Sequence, residues 1–425
     1  MFVEPSPACQ VVFAGAPPAP GWLTHDDIEP GGPTVHRFRV SYPRVVAAVV
    51  TGALALGLVI GVSIPATAQV PSPTAAEPLV IAHRGASGYR PEHTLASYEL
   101  AIRMGADAIE PDLVSTRDGV LVARHENEIG GTTDVASRPA VADRMTTKVV
   151  DGLTLTGWFT EDFTLAELKQ LRAVERIPDI RPNNTIYDGR FAIPTLQQVI
   201  DLAQRFGVAI YPETKHPTYF DSIGLSLEEP LVRTLRANGL DRADSPVFVQ
   251  AFETSNLRQL DRVIDVPLVQ LIGGSGAPYD LVAAGSPLTY DDLTTPAGLR
   301  AIAAYADGIG PDKNRIVPRD SAGFLLPPTA LVDDAHDRGL FVHPYTFRAE
   351  NTFLPADFRV GTDPARYGDI AAEFELFFAL GVDGVFTDQP DIAVYARRLA
   401  TAAACRIVSR ARRPGRSSGA SPGHR

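Results

Sequence analysis

The sequence predicts an α/β fold, a TIM-type (β/α)8 barrel, and three observations predict it. Short apolar strand-like runs alternate with helical patterns between about residues 79 and 395, the order expected of parallel strands joined by crossover helices. Several helical patterns pass through a glycine straight into the next strand, at Phe206-Gly207-Val208, Arg338-Gly339-Leu340 and Leu380-Gly381-Val382. Ionisable residues crowd the ends of the strand runs, where a barrel carries its chemistry.

Taken in order, Leu79–His83 reads as the first strand, and a helix over Leu95–Met104 follows, announced by Pro91 and Thr94 and stopped by Gly105. Ala108–Val114 and Val120–His125 read as strands joined by the turn Thr116-Arg117-Asp118-Gly119. Later strands are expected at Val208–Pro212, Val247–Phe252, Pro267–Ile272, Gly308–Pro311, Leu340–Tyr345 and Gly384–Thr387. Helices are expected at Leu196–Phe206, Glu229–Asn238, Asn256–Val263, Pro328–Arg338 and Ile370–Leu380. Nine strands compete for eight positions, so one arm of the Asp118-Gly119 hairpin, or Gly308–Pro311, is auxiliary. With Val120–His125 counted as the third strand, residues 126–207 form an insertion between the third and fourth barrel strands, too long for a bare loop, placed over the active face. Gly273–Pro296 reads as a smaller loop excursion.

The ends lie outside this fold. Val45–Ile64 is twenty residues without a charge, after a basic stretch and before Ala66-Thr67-Ala68. That order describes an export signal at 45–68 cleaved after Ala68, and the run is also long enough for an uncleaved anchor. Either way the body is expected outside the cytoplasm, in the cell envelope or the medium, touching membrane only through this segment. Residues 1–44 read as a disordered leader or a misassigned start, and residues 406–425 as a basic disordered tail. The working body is 69–405.

Composition narrows the function. Net charge is −11, and the last twenty residues hold six Arg and no acid. A body this acidic is a poor partner for a phosphate backbone, which argues against nucleic acid. The only cysteines, Cys9 and Cys405, stand at opposite ends of the chain, so the body has no disulfide framework and no thiolate metal site.

The strand ends carry His83-Arg84, Glu110-Pro111-Asp112, His125-Glu126, Glu213-Thr214-Lys215, Gln250, His343 with Tyr345, and Thr387-Asp388. Glu110 and Asp112 share a strand face, and Glu213 adds a third carboxylate. Three hard oxygen donors suit calcium or magnesium. His83 and His125 could supply a general base and a general acid. Arg84 and Lys215 suit phosphate oxygens. Together they make a metal-assisted phosphoryl-transfer site plausible. His343, Tyr345 and Phe386 stand where they would either line a substrate pocket or pack. Glu92 and His93 read as helix-start residues, with Glu92 within reach of the site. Gly273-Gly274-Ser275-Gly276 reads as a flexible loop.

Residues 81–129, IAHRGASGYRPEHTLASYELAIRMGADAIEPDLVSTRDGVLVARHENEI, closely resemble the opening block of the glycerophosphodiester phosphodiesterase family. Glu213-Thr214-Lys215, VQAF (249–252), ADGIGPDK (306–313), FVHPYT (341–346) and GVDGVFTDQP (381–390) extend the resemblance across about residues 79–395, and it looks closest to exported, periplasmic-type members. His125-Glu126 stands where the family has His-Asp. The resemblance implies a barrel hydrolase that cuts small glycerophosphodiesters to sn-glycerol 3-phosphate and an alcohol with one divalent cation, calcium or magnesium. It implies Glu110, Asp112 and Glu213 as metal ligands, His83 and His125 as acid and base, and Arg84 and Lys215 on the phosphate. It also implies attack by the neighbouring glycerol hydroxyl, giving a cyclic phosphate that water opens. Polymeric glycerol phosphate as substrate, and a non-catalytic ligand-binding barrel, are the rival expectations.

Overall fold

Every barrel strand alternates between a lumen-facing and a helix-facing row, and that alternation builds the molecule. The computed structural model describes residues 77–411, with only helical backbone described for 403–411. Residues 1–76 and 412–425 lie outside the described residues, so the export segment 45–68, the cleavage after Ala68, Cys9 and most of the tail have no structural account. Among the described residues no helix is long and apolar enough to cross a membrane.

On the first strand, Leu79–His83, Val80 and Ala82 pack outward in the main core while Leu79 and Ile81 face the lumen. The second barrel strand, Ala108–Glu110 continued by Asp112–Ser115, pairs parallel to it with Ile81 opposite Ala108 and His83 opposite Glu110. The third comprises Ala209–Ile210 and Glu213–Thr214, with Asp112 opposite Glu213. Val249–Ala251, Leu268–Ile272, Gly308–Pro311 and Phe341–Val342 follow in parallel, and Gly384–Thr387 returns to pair with the first strand. That is a TIM barrel, eight parallel strands in chain order, closed between the last and the first.

Val120–His125 is not one of them. Its strand, Leu121–Ala123, runs antiparallel against Asp112–Ser115. A tight hairpin turn reverses the chain and cannot make a parallel neighbour. The insertion therefore follows the second barrel strand and precedes the third, which corrects the expected place between the third and fourth. It contains a two-stranded hairpin, Thr146–Val150 paired with Leu153–Gly157, and a short helix, Leu165–Leu168. The helix Leu196–Phe206, counted within 126–207 from the sequence, belongs to the barrel. Thr195 caps it with Gln198 in a reciprocal capping box, and Gly207 ends it in the left-handed region. Leu196, Val199, Ile200 and Ala203 are its buried face, the spacing of an amphipathic helix.

The lumen is filled by rings. Tyr211 stacks on Phe248 at 4.9 Å and meets Phe386 edge-on at 5.0 Å. Small residues make room for them: a Cβ at Gly308 would meet the Phe341 ring at 2.2 Å, and one at Gly384 would meet His343 at 2.8 Å. The Gly273–Pro296 excursion carries two short helices, Tyr279–Ala283 and Tyr290–Leu293. The last helix, Pro390–Ala411, continues past the expected tail boundary at 406; Arg406–Ala411 holds no breaker, and the next proline is Pro414.

Candidate active site

Along each lumen-facing row, apolar residues give way to polar ones toward the strand's C-terminal end. Ile81 is followed two residues on by His83, Ala108 by Glu110 and Asp112, Tyr211 by Glu213 and Lys215, and Phe386 by Asp388. The register then sets these polar groups side by side. They surround a cavity of about 340 Å³ whose walls include His83, Arg84, Glu110, His125, Glu213 and Lys215. Tyr345 and Phe386 also line it.

His343 does not. It lies one inward position below Tyr345, buried, with Nδ1 hydrogen-bonded to the Tyr211 hydroxyl at 3.0 Å and its ring 4.5 Å from Phe341. Burial depresses its pKa to about 4. It is a packing residue of the lumen, which corrects its expected place in the substrate pocket.

Glu110, Asp112 and Glu213 each present a carboxylate oxygen within 4.8 Å of the others. Glu110 accepts the main-chain N–H of Arg84 at 2.8 Å and the Gln250 amide at 3.0 Å. Asp112 accepts from His93 Nε2 at 2.9 Å, and its Oδ1 is buried without a hydrogen-bond partner. Glu213 pairs with Lys215 at 2.9 Å. Burial, then repulsion from Asp112 and Glu213, pushes Glu110 well above the usual carboxylate range. Burial, opposed by Lys215 and reinforced by Asp112, raises Glu213 to about 8. Asp112 is held low against the cost of its burial by Lys215 and His93. Crowded buried carboxylates with an open oxygen and no thiolate are a setting that a hard divalent cation fits.

Each imidazole has a carboxylate behind it. His83 Nδ1 is 2.6 Å from Asp388 Oδ1. Asp388 stays ionised despite burial because Arg348 and Arg181 face it, at 3.0 and 2.7 Å. An ionised carboxylate only accepts, so Nδ1 of His83 carries the proton and Nε2 is the acceptor. His125 Nδ1 faces Glu126 in the same way, and its Nε2 lies 3.2 Å from the Lys215 ammonium, which only donates. Withdrawal from water lowers His83 to about 4, with Arg84 adding to it; His125 is driven down by the same causes and by Lys215. Both imidazoles are therefore neutral near pH 7.

His125 reaches this rim from outside the barrel. The antiparallel arm folds back so that the Arg124 N–H donates to the Asp112 carbonyl at 2.9 Å, which brings the next residue over the carboxylates. The Arg124 guanidinium is fully buried and donates to the carbonyls of Glu92, His93, Ala123 and Thr132. The insertion supplies two further cations that sequence reasoning missed. Arg176 bonds both Glu92 and Glu126, and Arg181 bonds Glu350 and Asp388. Glu92 also accepts from Arg84 at 3.1 Å. Lys313, Arg319 and Arg348 line the cavity as well and were not singled out as site residues; Lys313 ends the ADGIGPDK segment, while no local pattern marks Arg319 or Arg348.

A model of the glycerophosphoryl diester phosphodiesterase family matches residues 83–392. The chain is 38% identical over 326 residues to glycerophosphodiester phosphodiesterase GDPD6 of Arabidopsis thaliana, covering 73% of this chain and 83% of that one. It is 31% identical over 366 residues to a glycerophosphodiester phosphodiesterase of Haemophilus influenzae, covering 80% and 95%. Among solved structures, one from Silicibacter pomeroyi superposes with a TM-score of 0.54 at 21% identity, covering 76% of this chain and 95% of that one. A phosphodiesterase of Oleispira antarctica, solved in complex with its product sn-glycerol-3-phosphate, gives 0.51 at 21%, covering 75% and 96%. Both share the fold.

Proposed function

The chain belongs to the glycerophosphoryl diester phosphodiesterase family, and from that premise we propose how this site cuts its substrate: by two-histidine acid–base catalysis beside a divalent cation, releasing sn-glycerol 3-phosphate and an alcohol. Its activity is that of a glycerophosphodiester phosphodiesterase. The observation that carries the mechanism is the pair of imidazoles on one cavity, each with Nδ1 tied to a carboxylate, which leaves Nε2 as the atom that takes or gives the proton.

Glu110, Asp112 and Glu213 would hold the cation, calcium or magnesium. Bound there, it would offset the negative charge that grows on the phosphoryl oxygens. Arg84 and Lys215 hold the phosphate, Arg84 by its fork and Lys215 as a point charge. One imidazole, neutral, takes at Nε2 the proton of the glycerol hydroxyl beside the phosphate; the other enters the step as imidazolium, with a proton gained from water at Nε2, gives that proton to the departing alcohol oxygen and is left neutral. Attack from within the substrate gains effective molarity. When water opens the resulting cyclic phosphate, the two imidazoles exchange roles. Asp388 and Glu126 keep each ring in its tautomer and steady it while it is charged.

The product complex of the Oleispira antarctica protein supports this product. The test is release of glycerol 3-phosphate from a glycerophosphodiester with and without EDTA. His83→Ala and His125→Ala are each expected to lower kcat by about 10²- to 10⁴-fold, the usual contribution of general acid–base catalysis, with folding intact. Near-normal turnover in either variant, or full activity in EDTA, would overturn the assignment.

We also propose that the enzyme works outside the cytoplasm, as expected from the signal-like run at 45–68. N-terminal sequencing of protein recovered from the cell envelope or medium should begin at Gln69. A chain recovered only from the cytoplasm would refute it.

A further inference from the structure

Arg176 stands on the insertion, outside the catalytic cavity, and joins two parts of the site that the barrel holds separately. Its backbone is irregular but fixed on both sides. Ala173 bridges Thr133, and the Val174 N–H donates to the Thr132 carbonyl at 3.0 Å. The Glu175 carboxylate accepts the Ile177 N–H at 3.1 Å and the Asn184 amide at 2.9 Å, which closes a tight turn around Arg176. The Arg176 side chain lines a small cavity of about 100 Å³ with Arg84 and Glu92, and this cavity shares His83 and Arg84 as walls with the catalytic one.

One edge of the guanidinium meets Glu92. Nε donates to Oε2 at 2.7 Å and Nη2 to Oε1 at 2.6 Å. Arg84 reaches the same Oε2 at 3.1 Å. Glu92 is buried, and against the cost of that burial Arg176, then Arg84, hold it well below the usual carboxylate range. The shorter bonds therefore go to Arg176. Arg84 is held in place without being saturated, and its Nε has no hydrogen-bond partner. Without Arg176, Glu92 would keep Arg84 as its only cation, and a buried carboxylate short of partners draws in the one it has.

The other edge meets Glu126, the carboxylate behind His125, at 3.0 and 2.7 Å. Glu126 has one more rotatable bond than the aspartate the family carries there, and that freedom must be lost for the imidazole to be held. Among the described residues, Arg176 and His125 are the side chains that bond it.

We infer that Arg176 is a positioning residue for both substrate binding and proton transfer. By taking up the charge of Glu92 it leaves Arg84 free to hold the phosphate, and with the same guanidinium it fixes Glu126 behind His125. This rests on the phosphodiesterase reading above, which puts the phosphate on Arg84.

The test measures kcat and KM on a glycerophosphodiester, and the Kd of sn-glycerol 3-phosphate by calorimetry, with the cation that supports turnover. Arg176→Gln is expected to raise KM and Kd by about tenfold, the scale of a lost charge-assisted hydrogen bond, and to lower kcat by a smaller factor. Adding Glu92→Gln removes the anion that captures Arg84, so the double variant should bind the product more tightly than Arg176→Gln alone. A role in folding alone would make the two losses add. Arg176→Lys keeps the charge but not the fork; its Kd should fall between, and it gives the same comparison with Glu92→Gln in a milder background. An unchanged Kd in both Arg176 variants, or double variants that bind no tighter than the single ones, would overturn the positioning role and leave the phosphodiesterase standing. No cleavage by the unaltered enzyme with any divalent cation would overturn the phosphodiesterase reading itself, and this role with it.

Discussion

Asp388 and Glu126 do the same task for two different histidines, but their surroundings differ. Asp388 is 2% exposed and meets two guanidiniums and an imidazole; Glu126 is 33% exposed and meets Arg176. Removing the charge at Asp388 takes from Arg348 its carboxylate partner and leaves Arg181 with Glu350 alone, and their field then falls on His83. It also offers His83 an amide that can donate, which favours the wrong tautomer. Glu126→Gln has water to compensate for it. Asp388→Asn is therefore expected to lower kcat by about 10²-fold or more, in the range of lost general acid–base catalysis, and Glu126→Gln by under about tenfold. Steady-state kinetics on folded variants, checked by circular dichroism, would decide it. The reverse order would mean that His83 is not the imidazole whose orientation matters most.

At the scale of elements, what was legible in the sequence is what depends on local periodicity. The i, i+2 spacing of Glu110 and Asp112, and of Glu213 and Lys215, puts each pair on one strand face, and the structure keeps both pairs there. Strand ends announce the site because inward rows turn polar only at the C-terminal rim. What local pattern cannot reveal is pairing direction and depth. Val120–His125 has the composition of a barrel strand, yet its short turn forces it antiparallel, and only this back-folding carries His125 to the rim. His343 shares an apolar-flanked strand end with Tyr345, but depth in the lumen is counted from neighbouring strands. The one local sign was Gly384 on the adjacent strand, whose missing side chain makes room for the ring. Arg176 and Arg181 were illegible for a third reason: they lie in irregular backbone, and their partners Glu92, Glu126, Glu350 and Asp388 are brought to them only by the complete fold. The insertion that looked like a cover thus also supplies the cations that hold the carboxylates behind both histidines.

At the scale of the molecule, the barrel concentrates negative charge at one point, and this couples folding, protons and metal. Without a cation, Glu213 titrates at about 8 instead of its ordinary 4.5, and Glu110 is raised in the same direction. The folded protein then holds protons that the unfolded chain releases. For a raised carboxyl the sign follows directly: its stabilising contribution is complete below about 4.5 and is lost as pH rises through about 8. The histidines His83, His125 and His343, held low, act oppositely below about pH 6.5 and no longer change above it, so the metal-free protein should melt at progressively lower temperature between about pH 7 and pH 8. A divalent cation needs these carboxylates ionised, so binding must expel the protons. Near pH 7, calorimetric titration with calcium or magnesium in buffers of different ionisation enthalpy should show release of roughly one proton or more per site. Affinity should rise with pH up to about 8, and the added cation should restore the melting temperature most where the metal-free protein is weakest. Binding enthalpies that do not depend on the buffer, or a melting temperature of the metal-free protein that climbs from pH 7 to 8, would show that the three carboxylates are already ionised and that the cation is not what balances them.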